Sequence, residues 1–201
     1  MEYIVQARPA VRAHIVLLSS ALLAAGCGHS WIGQTSEARE QPRIEVLDPK
    51  TVPRDTLTLP NDDRSIKFAV IGDSGRGWKP QHEVAAQMAA YRQRFDFKFV
   101  LMAGDNIYEG PATPEDYRLK FEEPYKLLLD AGVKFYAVLG NHDDPQQVHY
   151  APFNMDGGRY YTFTPPVDPI TRWDTRVRFF ALDSTNLDGA QMEWFEREST
   201  Q

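Results

Sequence analysis

The chain has 201 residues, 42% of them apolar, 12% aromatic and 25% charged, with a formal net charge of −6. That composition suits a globular protein, and the negative balance argues against nucleic acid as a partner, since a phosphate backbone needs a basic face. It leaves room for a small phosphate ester, which a metal could hold. The single cysteine, Cys27, excludes a disulfide framework within the chain.

Residues 1–30 read as a targeting segment rather than as folded structure. Arg8 and Arg12 supply positive charge, and residues 15–25 are mostly apolar, the length of a signal h-region and too short to span a bilayer well. The run Leu22-Leu23-Ala24-Ala25-Gly26-Cys27 resembles a bacterial lipobox, with Ala24 where leucine is commoner. That resemblance implies a lipoprotein signal peptide over 1–27, lipidation at Cys27 and export to a bacterial membrane. Gly28 lacks the aspartate associated with inner-membrane retention, which favours the outer membrane or the periplasm. An ordinary cleaved signal and a single anchor helix are the alternatives. Residues 28–64 read as a tether: polar, carrying Pro42, Pro49, Pro53 and Pro60, and without a sustained period. Within it, Ile44-Glu45-Val46-Leu47 has the composition of a short edge strand.

Residues 65–201 carry the domain, about 140 residues and within the usual size of one. Residues 66–71 form a short apolar run ending at Gly72 and predict a buried strand. A helix is predicted over 81–95, with Val84, Met88, Tyr91 and Phe95 along one face. Residues 97–102 predict a second buried strand. Thr113 then caps a helix with Pro114 at its first position and Glu115 and Asp116 in its first turn. Pro124 should kink or split that helix, and Gly132 should close it. Residues 133–139 predict a third buried strand. Residues 159–163 and 176–182 have β-rich composition, and a last helix begins near Gly189.

Strands alternating with helices imply an α/β fold with parallel strands and right-handed crossovers. Three polar clusters follow the three strands: Gly72-Asp73-Ser74-Gly75, Gly104-Asp105-Asn106-Ile107-Tyr108 and Gly140-Asn141-His142-Asp143. Parallel strands place their carboxyl ends on one sheet edge, where ligands bind. Asp73, Asp105 and Asn141 should therefore converge. One such aspartate is often only a turn former, but carboxylates gathered together repel and call for a cation. Two aspartates, an amide carbonyl, a tyrosine and a histidine suit iron, manganese or zinc.

Those three clusters resemble the first three motifs of the calcineurin-like metallophosphoesterases. Tyr108, three residues after Asp105, points to the purple acid phosphatase branch and its tartrate-resistant type. The resemblance runs from about Lys67 to Glu196 and takes in Tyr160-Tyr161 and Leu182-Asp183-Ser184. It implies an αββα sandwich, of which the N-terminal βαβαβ half and the following strands are present. It implies a dinuclear centre of Fe(III) and a divalent ion (Fe, Zn or Mn), with Asp73 and Tyr108 on the ferric ion, Asp105 bridging and Asn141 on the divalent ion. His142 would be catalytic, orienting the phosphate or protonating the leaving oxygen. The activity implied is hydrolysis of phosphate esters by metal-activated hydroxide.

The family pattern also asks for a later histidine and a Gly-His-x-His turn. Neither is present, because the histidines are His14, His29, His82, His142 and His149. His82 reads as solvated and His149 as a structural or surface residue. The expectation is a C-terminally truncated chain, inactive as it stands, whose partners are a small phosphate ester and, through its lipid, a membrane. The competing expectation is a non-catalytic lipoprotein that keeps the fold as a binding module.

Overall fold

The apolar runs marked in the sequence as strands are strands, trimmed at their ends. The computed structural model describes residues 65–165 and 177–201, with the backbone of one further strand at Ile15–Leu18. In chain order the strands are β1 (Ile15–Leu18), β2 (Phe68–Ile71), β3 (Phe99–Met102), β4 (Lys134–Ala137), β5 (Tyr161–Phe163) and β6 (Arg178–Ala181). Strands β2, β3 and β4 form one parallel sheet in that order, with Phe68 opposite Phe99 and Phe99 opposite Lys134. A second sheet runs β1-β6-β5, with β6 parallel to β1 and antiparallel to β5. The fold is therefore mixed α/β, as expected.

Aromatic side chains join the two sheets. Phe99 of β3 meets Phe163 and Phe179 edge-on at 6.3 and 5.5 Å, Phe68 meets Phe179 at 5.5 Å, and Tyr136 stacks on Phe163 at 3.7 Å. Alternation along β4 sends Phe135 to the other side, against Phe121 and Tyr125. All four residues of β3 are buried, as its unbroken apolar run requires. The expectation of a buried strand is too strong for β2. It ends the order β2-β3-β4, and Val70 is exposed.

Helix α1 (Lys79–Phe95) corrects the expected face. Val84 lies half exposed, while Gln81 and Ala85 are buried and Met88 and Ala89 pack on the core. The short alanines let the helix approach the core closely. Gln81 is drawn inward by a bond from the Gly77 amide (2.6 Å) and one to the Lys120 carbonyl (2.6 Å). Thr113 caps α2 (Pro114–Tyr117) in a full capping box with Asp116. A π-helical turn, Arg118–Glu122, follows, and Pro124 separates it from α3 (Lys126–Asp130), which Gly132 ends at φ 76°. The π turn carries Phe121 into the core. Helix α4 (Gly189–Ser199) starts at the Asp188 cap and packs Phe195 edge-on against Phe180 at 5.3 Å.

The chain divides into one unit of Met1–Ala21 with Pro60–Gln201 and another of Leu22–Leu59. The second unit lies outside the described residues, as do Cys27 and the tether expected over 28–64. Strand β1 departs from the expectation that residues 1–30 hold no folded structure. Its apolar, partly β-branched run has the composition of a strand as well as of an h-region. Among the described residues no helix is long and apolar enough to cross a membrane.

Candidate metal centre

The three loops that follow β2, β3 and β4 meet at the carboxyl edge of the parallel sheet. Backbone bonds knit them together: the Asp73 amide donates to the Gly104 carbonyl (3.1 Å), the Gly75 amide to Asp105 (3.2 Å) and the Tyr108 amide to Gly75 (2.8 Å). The approach is close enough to demand glycine at Gly75 and at Gly140. A Cβ on Gly75 would collide with the Asn106 carbonyl, and one on Gly140 with the backbone and carboxylate of Asp105.

Asp73 and Asp105 both hold left-handed backbone, with φ of 55° and 53°. Aspartate tolerates that region better than most residues, and Asp96 and Asp156 hold it elsewhere in the chain. Their carboxylates share one partner. The Tyr108 hydroxyl donates to Asp105 Oδ2 at 2.7 Å and lies 3.3 Å from Asp73 Oδ1. Burial, then the bond to Asp105 and the charge of Asp73, push the phenol well above its ordinary range. Asp105 is buried, whereas Asp73 is exposed at the rim.

The third loop reaches the same point. The His142 amide donates to Asp105 Oδ1 at 3.2 Å, and the His142 ring lies 5.1 Å from that of Tyr108. Asn141, between Gly140 and His142, is exposed at this edge. Asp73, Asp105, Tyr108 and His142 are thus brought into contact or near contact, with Asn141 alongside. His82 is exposed on α1, and His149 is exposed beside Gly157 on a separate loop. Asp183 does not join the cluster. Its carboxylate accepts from the Thr185 and Asn186 amides and from Arg159, so this strand end is a turn cap.

Three residues support the site: Arg76 and Lys120, which carry no signal that spacing alone could have found, and Asp143, which closes the third cluster. Arg76 lays its guanidinium 3.9 Å from the centre of the Tyr108 ring and 5.2 Å from that of Trp78. Lys120 braces the second loop by donating to the Tyr108 carbonyl (2.7 Å) and pairing with Asp116 (2.9 Å). Asp143 collects hydrogen bonds from both the second and third loops. Burial pushes its carboxyl up, while those donors hold it down.

The donors fit a hard cation. Among the described residues no group of three or more histidine, cysteine, aspartate and glutamate side chains could hold a metal ion. Here two aspartates are instead complemented by a phenol and an amide carbonyl, all oxygen donors. A highly charged cation held here would also invert the proton balance at Tyr108, favouring a phenolate over a phenol that donates to carboxylates.

The profile of the calcineurin-like phosphoesterases matches residues 66–197. The chain belongs to that family. Its resemblance within the family is to the purple acid phosphatases. Purple acid phosphatase 4 of Arabidopsis thaliana is 43% identical over 88 residues, covering 42% of this chain and 26% of the relative. Purple acid phosphatase 17 of the same plant is 39% identical over 85 residues, covering 40% and 25%. The match thus spans about a quarter of the length of these relatives. The family resemblance makes the chain a hydrolase-family protein, and this family works with a dinuclear metal centre.

Proposed function

We propose that Asp73, Asp105, Tyr108 and Asn141 hold a dinuclear centre of Fe(III) and a divalent ion, and that the protein hydrolyses small phosphate esters. The observation that carries this reading is the convergence of three strand-end loops on two left-handed aspartates that share one tyrosine hydroxyl. Asp73 and Tyr108 would serve the ferric ion, Asp105 would bridge, and Asn141 would serve the divalent ion. Such a pair supplies an activated water and neutralises charge on the phosphate. His142, beside Tyr108 and tied through its amide to Asp105, would orient the phosphate or protonate the leaving oxygen.

The sequence contains no Gly-His-x-His turn. We therefore expect the 201-residue chain, loaded with iron and dialysed, to retain well under two metals and to turn over a chromogenic phosphate ester poorly. A form that also carries the histidine motifs should hydrolyse the ester, and Asp105→Asn in it should abolish turnover. Turnover that survives Asp105→Asn would refute the phosphoesterase reading. Export and a lipid anchor at Cys27 belong to the same proposal, supported by the lipobox-like run that ends there. The reading as a binding module is less favoured, because a site without chemistry has no need of two aspartate carboxylates gathered on one tyrosine hydroxyl.

A further inference from the structure

We infer that Asp143 is a positioning residue, one carboxylate that fixes the Asn141 loop against the Asp105 loop and so sets the spacing of the two metal sites. The inference rests on the two-metal reading above. The two oxygens divide the work. Oδ1 accepts from the Asn106 amide (2.7 Å), the Ile107 amide (3.0 Å) and Gln147 Nε2 (3.0 Å). Oδ2 accepts from the Gly140 amide (2.8 Å) and Asn106 Nδ2 (2.9 Å). Asn106 directly follows Asp105, and Gly140 directly precedes Asn141. The carboxylate therefore touches no proposed ligand, yet it grips the backbone next to a ligand on each loop.

The chemistry of the side chain is dictated by its surroundings. Five donors converge on it and no acceptor does, so it must offer two acceptors and no donor; a carboxylate does this and an amide cannot. Charge-assisted bonds of this kind are the stronger ones. The Asn106 side chain cannot turn round to help, because its Nδ2 also donates to the Val138 carbonyl at 2.8 Å. Gln147, wholly buried, closes the far side. An ordinary turn-capping role is already filled by the neighbour: Asp144 accepts from the Gln146 amide (2.9 Å) at the start of the 3-10 turn Pro145–His149.

Asp143→Asn separates the two grips. Its remaining carbonyl oxygen can still serve the Asn106 and Ile107 amides, whereas its NH2 would face the Gly140 amide and Asn106 Nδ2, donor against donor. The test uses the 201-residue chain loaded with Fe(III) and titrated with Mn(II), free Mn(II) being read by electron paramagnetic resonance so that weak binding is measurable. Partners of this type change metal affinity by about 10- to 100-fold. Asp143→Asn should weaken Mn(II) binding by about tenfold or more while leaving the visible band of iron at Tyr108 in place. Asn141→Ala should weaken Mn(II) to a similar degree, and the double variant should be no worse than either single one. Asp143→Glu, which keeps both acceptors, should recover most of the loss.

An Asn141→Ala effect that Asp143→Asn fails to reproduce, or that adds to it independently, would overturn the inference alone. An Asn141→Ala variant with unchanged Mn(II) affinity would overturn the two-metal reading and this inference with it. If Asp143→Asn does not fold, the wild type decides by nuclear magnetic resonance with Zn(II) as a diamagnetic probe. The Asn106, Ile107 and Gly140 amides should shift along the same saturation curve as the Asn141 side-chain amide. Amides that stay still while Asn141 shifts would overturn the inference.

Discussion

Asp73 and Asp105 carry φ of 55° and 53°, and each follows a glycine at the end of a parallel strand. Sequence patterning places such residues on one sheet edge, but it cannot say how near they come. That depends on contacts such as Gly75 against the Asn106 carbonyl, where no Cβ fits. Gly75→Ala should therefore cost stability on the scale of overpacking, about 1–3 kcal/mol. A urea titration measures it, and an unchanged midpoint would mean that the two loops are not packed this closely. The meeting of Asp73, Asp105 and Tyr108 was legible because each lies in a motif that follows an apolar run. Arg76 and Lys120 were not, and neither was the role of Asp143 at the end of the third motif, because each acts through a partner distant in sequence: Arg76 through the Tyr108 ring, Lys120 through its carbonyl and Asp143 through the Asn106 and Ile107 amides.

The Thr113 cap, the break at Pro124 and the stop at Gly132 follow from local chemistry, and all three stand where the sequence puts them. The face of α1 does not. Val84, Met88, Tyr91 and Phe95 have helical spacing, yet of these Met88 packs on the core while Gln81 and Ala85 are the buried positions, since the bond from Gln81 to the Lys120 carbonyl helps set the rotation of the helix. The capping box of α2 gives a pH test. Hydrogen bonds from Thr113, then one from Lys120, lower the Asp116 carboxyl to about 2 from 3.8. A depressed folded-state value means that the stabilisation is present above the unfolded value and is lost as pH falls toward about 2. The wild type should thus exceed Asp116→Asn in urea midpoint at pH 6, and the gap should close near pH 2. A gap that persists at pH 2 would show that the carboxylate is not the stabilising species. Thr113→Ala should cost about 1 kcal/mol at pH 6.

Taken whole, the fold carries its three motif loops on one rigid sheet edge. The seam between the sheets is aromatic, from Phe68, Phe99 and Tyr136 to Phe163 and Phe179. The sequence announces the parallel sheet through its strand-helix alternation, but pairing between β5 and β6 is non-local and shows only as β-rich composition. At the same scale, the lipobox-like run makes a claim about the location of the molecule. Expressed in a bacterium, Cys27→Ser should abolish detergent-phase partitioning and block leader cleavage, and unchanged partitioning would refute the anchor. The site turns on Tyr108, whose hydroxyl joins Asp105 at 2.7 Å and Asp73 at 3.3 Å. A tyrosinate on Fe(III) gives a visible charge-transfer band, and Tyr108→Phe removes the phenolate oxygen while keeping most of the ring's packing. The deciding measurement is the visible absorption spectrum of the iron-loaded wild type beside that of Tyr108→Phe. The expected result is a band in the wild type that is lost in a variant still folded by circular dichroism, and an identical band in both would contradict the ferric site.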